Sequence, residues 1–136
     1  MTDNATITPD DEARIAALLN RGAKVVRRRD RSIRSFDGSH CQPPVNSDDL
    51  RAIASDTRIS KLDLANGDIS DADVATIRTL EQLAELNLSH TKVSIAGAER
   101  LILMPRLTFL SLIGCTLNAD RLRLLRRRAL QTRIVT

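Results

Sequence analysis

Ile59-Ser60-Lys61-Leu62-Asp63-Leu64, Leu83-Ala84-Glu85-Leu86-Asn87-Leu88 and Leu107-Thr108-Phe109-Leu110-Ser111-Leu112 are apolar at the first, fourth and sixth places, and each begins 24 residues after the one before. A stretch this short cannot bury its own apolar side. Its recurrence at a fixed interval means that copies stack and share one continuous core. Polar residues keep the same phase: Asn46, Ser70, Ser94 and Asn118 also stand 24 apart. All four are types whose side-chain oxygen accepts a bond from a free amide at a helix start. Ser70 with Asp73 has the outline of a capping box, with Asp where Glu or Gln is preferred. Behind the caps run apolar positions at helical spacing: Leu50 and Ile53; Val74, Ile77 and Leu80; Ala98, Leu101 and Met104; Leu122 and Leu125. Each unit is therefore expected to be a short strand, a turn and a helix.

The LxxLxL spacing resembles the leucine-rich repeat family, in particular its short 24-residue bacterial type, over roughly residues 33 to 136. The resemblance implies an α/β solenoid with parallel β-strands on a concave face and short helices on a convex one. It also implies an inward place three residues after the last strand leucine, usually Asn, Cys or Thr bonded to the backbone of the turn. Gly67, Thr91 and Cys115 hold that place here. Gly67 departs from the pattern, whereas Cys115 fits it and reads as a buried structural thiol. By the same resemblance, proteins of this type are mostly interaction scaffolds rather than enzymes.

Upstream, Ile33-Arg34-Ser35-Phe36-Asp37-Gly38 reads as a degenerate first strand, 26 residues before Ile59, and the loop with Cys41, Pro43 and Pro44 takes up the two extra residues. Lys24-Val25-Val26-Arg27 and Ser32-Ile33-Arg34-Ser35 flank a polar turn around Asp30, the composition of a hairpin. Thr8-Pro9-Asp10-Asp11-Glu12 is a helix start: a cap, proline in the first turn, and acids at the positive end of the dipole. Ile15, Leu18 and Leu19 supply that helix with an apolar face and Gly22 stops it. Residues 9 to 36 are expected to form a helix-hairpin cap, and residues 1–136 one domain, with 1–36 as cap and 37–136 as repeats. A fourth full strand is due at 131, where Gln131, Ile134 and Thr136 fall on the apolar places and Ile134 alone suits them. Arg128 likewise falls where Leu80 and Met104 sit in earlier helices. Two readings stand: a polar last strand that blunts an open edge, or a fragment of a longer array. Pairing of that strand with its twin in a homodimer is a further option.

A chain of 136 residues, 42% hydrophobic, can bury a sizeable core. It has no 18-residue apolar run, which argues against a membrane span. Met1-Thr2-Asp3-Asn4-Ala5-Thr6 has no basic region leading into an apolar stretch, so no secretory leader is read there and the cytoplasm is the default location. Cys41 and Cys115 follow strands three ladder steps apart, about 14 Å at 4.8 Å per step, too far for a disulfide. Two free thiols suit a reducing compartment.

The net charge of +4 conceals a polarity along the chain. Residues 1–36 hold eight Lys or Arg and five acids, residues 37–99 five and eleven, and residues 100–136 eight and one. In a stacked array sequence order is spatial order, so the ends are expected to be basic and the middle acidic. Arg121, Arg123, Arg126, Arg127 and Arg128 surround Leu122 and Leu125 on the last helix. They read either as a solvated face whose arginine stems shield apolar surface, or as a docking patch for an anionic partner, an acidic protein or nucleic acid. Arg27, Arg28, Arg29, Arg31 and Arg34 form a second run at the hairpin. Single-strand binders stack bases on aromatics, and this chain has only Phe36 and Phe109, which argues against nucleic acid.

No metal-ligand spacing, glycine-rich phosphate loop or serine motif is present, so no metal, cofactor or enzymatic activity is expected. His40 beside Cys41 reads as a polar surface loop, and His90 as a turn residue in the place of Asn66 and Gly114. What remains is the wall built by residues between the inward leucines. It is expected to carry Lys61, Asp63, Glu85, Asn87, Phe109, Ser111 and Arg133 as partner-binding positions, with Phe109 as anchor. The bland alternatives are that Phe109 packs on Arg133 or Glu85, and that Lys61, Asp63 and Glu85 merely neutralise one another.

Overall fold

Leu62, Leu86 and Leu110 stand side by side on adjacent parallel strands, with Phe36 and Ile134 continuing the row to either side. This is the alignment that a 24-residue interval demands, and in the computed structural model, which describes residues 7–136, it runs from Phe36 to Ile134 with the 26-residue first step accommodated. The Met1–Thr6 segment, read above for a leader, lies outside the described residues. The elements in chain order are α1 (Pro9–Asn20), β1 (Lys24–Arg27), β2 (Ile33–Asp37), α2 (Ser47–Ala54), β3 (Lys61–Asp63), a 3-10 turn (Asp71–Asp73) leading into α3 (Val74–Ile77), β4 (Glu85–Asn87), α4 (Ile95–Leu101), β5 (Phe109–Ser111), α5 (Ala119–Arg128) and β6 (Arg133–Val135). The six strands form one sheet in sequence order, β1 antiparallel to β2 and the rest parallel.

Strand and helix leucines close over one hydrophobic cluster that runs unbroken from Ile15 to Ile134. The first, fourth and sixth places of the three repeats are 0–1% exposed, and so are the helix positions Leu50, Ile53, Val74, Ile77, Leu80, Ala98 and Leu101. Gly38 occupies the third apolar place of β2, where a side chain would strike Val45 and Phe36. Val45, delivered by the proline-bearing loop, fills that space instead and is fully buried.

All four phased caps start helical turns, and their chemistry differs. Asn46 and Asp49 exchange side-chain and backbone bonds at 2.9 and 3.1 Å. Asn118 accepts from the Arg121 amide at 3.0 Å, and Ser94 from that of Ala96 at 3.2 Å. Ser70 heads a 3-10 turn, not an α-helix: its amide donates to the Asp73 carboxylate at 3.0 Å, and only four α-helical residues follow. The bends after the strands use a second phased position, Asn66, His90 and Gly114, with φ of 65°, 57° and 77°. The left-handed region favours glycine and tolerates asparagine. At Gly114 a side chain would also collide with the His90 ring.

Thr91 and Cys115 behave as their phase implies, donating to the Leu88 carbonyl at 2.7 and 3.2 Å. Cys115 is half-buried, which corrects the expectation of a fully buried thiol. Gly67 keeps the turn without a side chain because a Cβ there would lie 2.9 Å from the Leu64 oxygen and 3.2 Å from that of Val45. The two-residue insertion before α2 brings the Val45 backbone close, so the usual polar rung has no room.

Thr8 caps α1 at 3.1 Å and Gly22, φ +114°, ends it. Ile15 and Leu18 are buried, but Leu19 is 44% exposed, so the apolar face of α1 is narrower than expected. Cys41 likewise departs from the expected surface loop: His40 is exposed, while Cys41 turns inward beneath the Leu18 carbonyl. Burial pushes its thiol pKa up. Both cysteines are free.

Candidate functional site

Because side chains alternate along a strand, burying Phe36, Leu62, Leu86, Leu110 and Ile134 turns the residues before and after each of them to the opposite face of the sheet. Two rows result, Ser35-Lys61-Glu85-Phe109-Arg133 and Asp37-Asp63-Asn87-Ser111-Val135. They differ in what their polar atoms are already doing.

The second row holds the bends. Asp37 accepts from the Ser39 amide at 2.9 Å and its hydroxyl at 2.6 Å, Asp63 from the Ala65 amide at 3.0 Å, and Asn87 from the Ser89 amide at 3.0 Å. A short acid or amide side chain that bonds the backbone two residues on is a standard way to fix a turn. Ser111 lacks the reach, and its hydroxyl meets that of Ser89 at 2.8 Å instead. It is 4% exposed, so it does not line the face as expected. A third row just before the strands is committed too: Ser60 and Thr108 each donate to a carbonyl of the preceding repeat at 3.1 Å, and Thr132 does so at 2.6 Å.

The first row is left uncommitted. Lys61, Glu85 and Arg133 are exposed and form neither an ion pair nor a side-chain hydrogen bond with any described residue. Lys61 is therefore not neutralised by Asp63 or Glu85. Phe109 is half-buried between Glu85 and Arg133 in register. Lys61, Asp63, Glu85, Asn87 and Phe109 border a shallow depression of about 230 Å³.

A larger cleft of about 730 Å³, missed at the level of sequence, opens beside the β1–β2 hairpin. Most of its charges are already engaged. Arg27 approaches Glu12 at 3.5 Å, Arg58 pairs with Asp30, and Asp56 accepts from the Ile33 amide at 2.5 Å. Bonds from the Ser32 hydroxyl and amide, with Arg58 added, lower the Asp30 pKa to about 2. Arg31 is the one lining charge whose side chain has no partner among the described residues, so the cleft is a less reactive surface than its volume suggests.

The basic patch is also partly neutralised. Arg121 pairs with Glu99 at 2.8 Å, Arg128 approaches the same carboxylate at 3.9 Å, and Arg123 pairs with Asp120. Arg126 donates to the Thr136 hydroxyl at 2.8 Å. Arg127 alone of the five has no partner among the described residues. Among those residues there is also no group of three His, Cys, Asp or Glu suited to a metal, and no helix long and apolar enough to cross a membrane.

No protein-family model matches this chain, and no curated protein matches it. A solved structure similar to it is that of an internalin (inlF) from Listeria monocytogenes, 20% identical, with a TM-score of 0.50 over 62% of this chain and 24% of the internalin. The chain thus spans about a quarter of that protein's length. The likeness speaks to the fold: this is an α/β chain with a leucine-rich-repeat-like architecture.

Proposed function

We propose that this chain is a non-enzymatic protein-binding module of the short 24-residue repeat type, a solenoid whose concave wall is the open sheet face and whose N-terminal helix and hairpin cap one end of a single domain. The partner docks on the row Lys61, Glu85, Phe109 and Arg133, with Asp63 and Asn87 shaping the floor. The observation that carries this reading is the contrast between rows: neighbouring polar side chains are used up within the fold, while this one presents an aromatic flanked by three ionised groups without partners. An amphipathic aromatic site rimmed by charge is what protein interfaces use as an anchor. Two free thiols favour a reducing compartment such as the cytoplasm. Contact through the α5 arginines with an anionic partner is the lesser reading, because four of the five already have partners.

A photo-crosslinking residue placed at Thr108 tests this. In extract of the native host, a discrete crosslinked partner is expected, and Phe109→Ala should cut its yield by about tenfold or more. Unchanged yield with Phe109→Ala, or loss of it only when Arg123, Arg126 and Arg127 are replaced by Ser, would overturn the proposal.

A further inference from the structure

Resting on the protein-binding reading, we infer that the partner offers an α-helix laid across β3 to β6, carrying in order an acidic, a basic, an apolar and an acidic side chain. The order is the complement of the uncommitted row, Lys61, Glu85, Phe109 and Arg133, one residue from each strand in direct register. Exposed charges contribute little energy singly, but a fixed sequence of signs rejects partners of the wrong order, which is how charged surfaces discriminate.

The spacing selects a helix. Adjacent strands lie about 4.8 Å apart, so the row places one group every 4.8 Å and spans about 14 Å. Helical side chains three and four apart share a face at about 5–6 Å, and about ten residues at 1.5 Å each cover the span. Positions i, i+3, i+7 and i+10 therefore fall over the four strands in turn. An extended segment crossing the same strands puts same-face side chains about 6.6–6.8 Å apart. It meets two or three members of the row and drifts out of step with the rest. A segment running along the strands would reach only one.

A second copy of this chain does not fit. In α1, Asp11, Arg14 and Leu18 supply the first three members, but Leu18 is buried and Arg21 stands where an acid is required. In α5, Asp120 and Arg123 are followed by Arg127 in the apolar place. The partner is thus another protein, with an amphipathic helix bearing two acids, one base and one apolar residue on its docking stripe.

The probes are alanine-based helical peptides of about 20 residues, long enough to hold a helix in water. One carries Glu, Lys, Leu and Glu at i, i+3, i+7 and i+10. A second carries Glu, Leu, Lys and Glu, for the opposite direction of travel, and a third has the same composition scattered around the helix. Binding to the full chain is read by fluorescence anisotropy. One of the ordered peptides is expected to bind about tenfold or more tighter than the scattered one. Lys61→Glu should abolish that advantage, and exchanging the facing peptide Glu for Lys should restore it. Equal affinity of all three peptides, absence of binding by any, or failure of the charge exchange to restore binding would each overturn the helix assignment. Crosslinking at Thr108 separates the two claims. A captured partner that depends on Phe109 but contacts the row through an extended segment removes the helix and leaves the binding face, whereas capture indifferent to Phe109 removes both.

Discussion

The two ends of the sheet are built from similar parts and closed to different degrees. At the β1 end, α1 lays Ile15 and Leu18 into the core and is tied to α2 through Asp49, which is fully buried and accepts from Arg14 at 3.0 Å, Arg21 at 3.1 Å and the Asn46 amide at 3.1 Å. Arg21 goes on to the carbonyls of Pro43 and Pro44 at 2.6 and 3.0 Å, which ties down the inserted loop as well. At the β6 end, α5 is ten residues long and buries Leu125 alone, while Leu124 is 56% and Leu130 93% exposed. Gln131, an amide in an apolar place, stays outside and donates to the carbonyls of Met104 and Pro105 at 2.8 and 3.1 Å. One terminal helix is held by core and by a buried charge, the other by its cap, buried Leu125 with half-buried Leu122 beside it, and surface pairs. Equal regularity of the repeat does not imply equal local stability.

Asp49→Ala is expected to show the largest effect of this asymmetry. It strands two guanidinium groups and a cap, and because Arg14 and Arg21 retain access to water the loss should lie near the low end for a broken buried pair, about 3 kcal/mol by urea unfolding. Leu125→Ala at the other end should lose about 2–3 kcal/mol, since a cavity beside exposed Leu124 is readily relaxed or filled. If Leu125→Ala proved the costlier of the two, the contrast between the ends would be reversed. Cap removal sharpens it further: Asn46→Ala should cost about 1–2 kcal/mol and Asn118→Ala about 0.5–1 kcal/mol, measured side by side.

The smallest effect belongs to Asp30 in the hairpin turn. Its pKa is lowered from 3.8 to about 2, so the folded chain favours the carboxylate. That contribution is complete above pH 4 and disappears as pH falls toward about 2. Asp30→Asn should flatten this part of the acid-unfolding profile by lowering stability slightly at neutral pH, where the carboxylate contributes, while the two chains converge toward pH 2. A profile identical to that of the unsubstituted chain would mean that the turn carboxylate does not contribute to the difference between the ends.

Much of the fold is legible in the residues because a repeat states the same physical demand several times. The register of Leu62, Leu86 and Leu110, the four caps and the left-handed turn positions all follow from one period. Single departures are harder to read. Gly67 and Gly38 make sense only once Val45 is seen to enter their space from the inserted loop. Asp49 resembles any acid in a first helical turn until α1 folds against it. Within the candidate face, the sequence sorts inward from outward residues but not free from committed ones. Asp63, Asn87 and Ser111 share a pattern with Lys61, Glu85 and Phe109, and the difference lies in hydrogen bonds to neighbouring turns.

Period and polarity, written locally and repeated, thus determined by themselves the strand register, the side of the sheet that is buried and where helices begin, because each rests on short-range sterics and on the need to bury evenly spaced leucines. Only the tertiary structure decided which outward groups remain unpaired, why two glycines interrupt the ladder and how firmly each end is closed. Those properties depend on distances between residues far apart in the chain, and no local pattern encodes them.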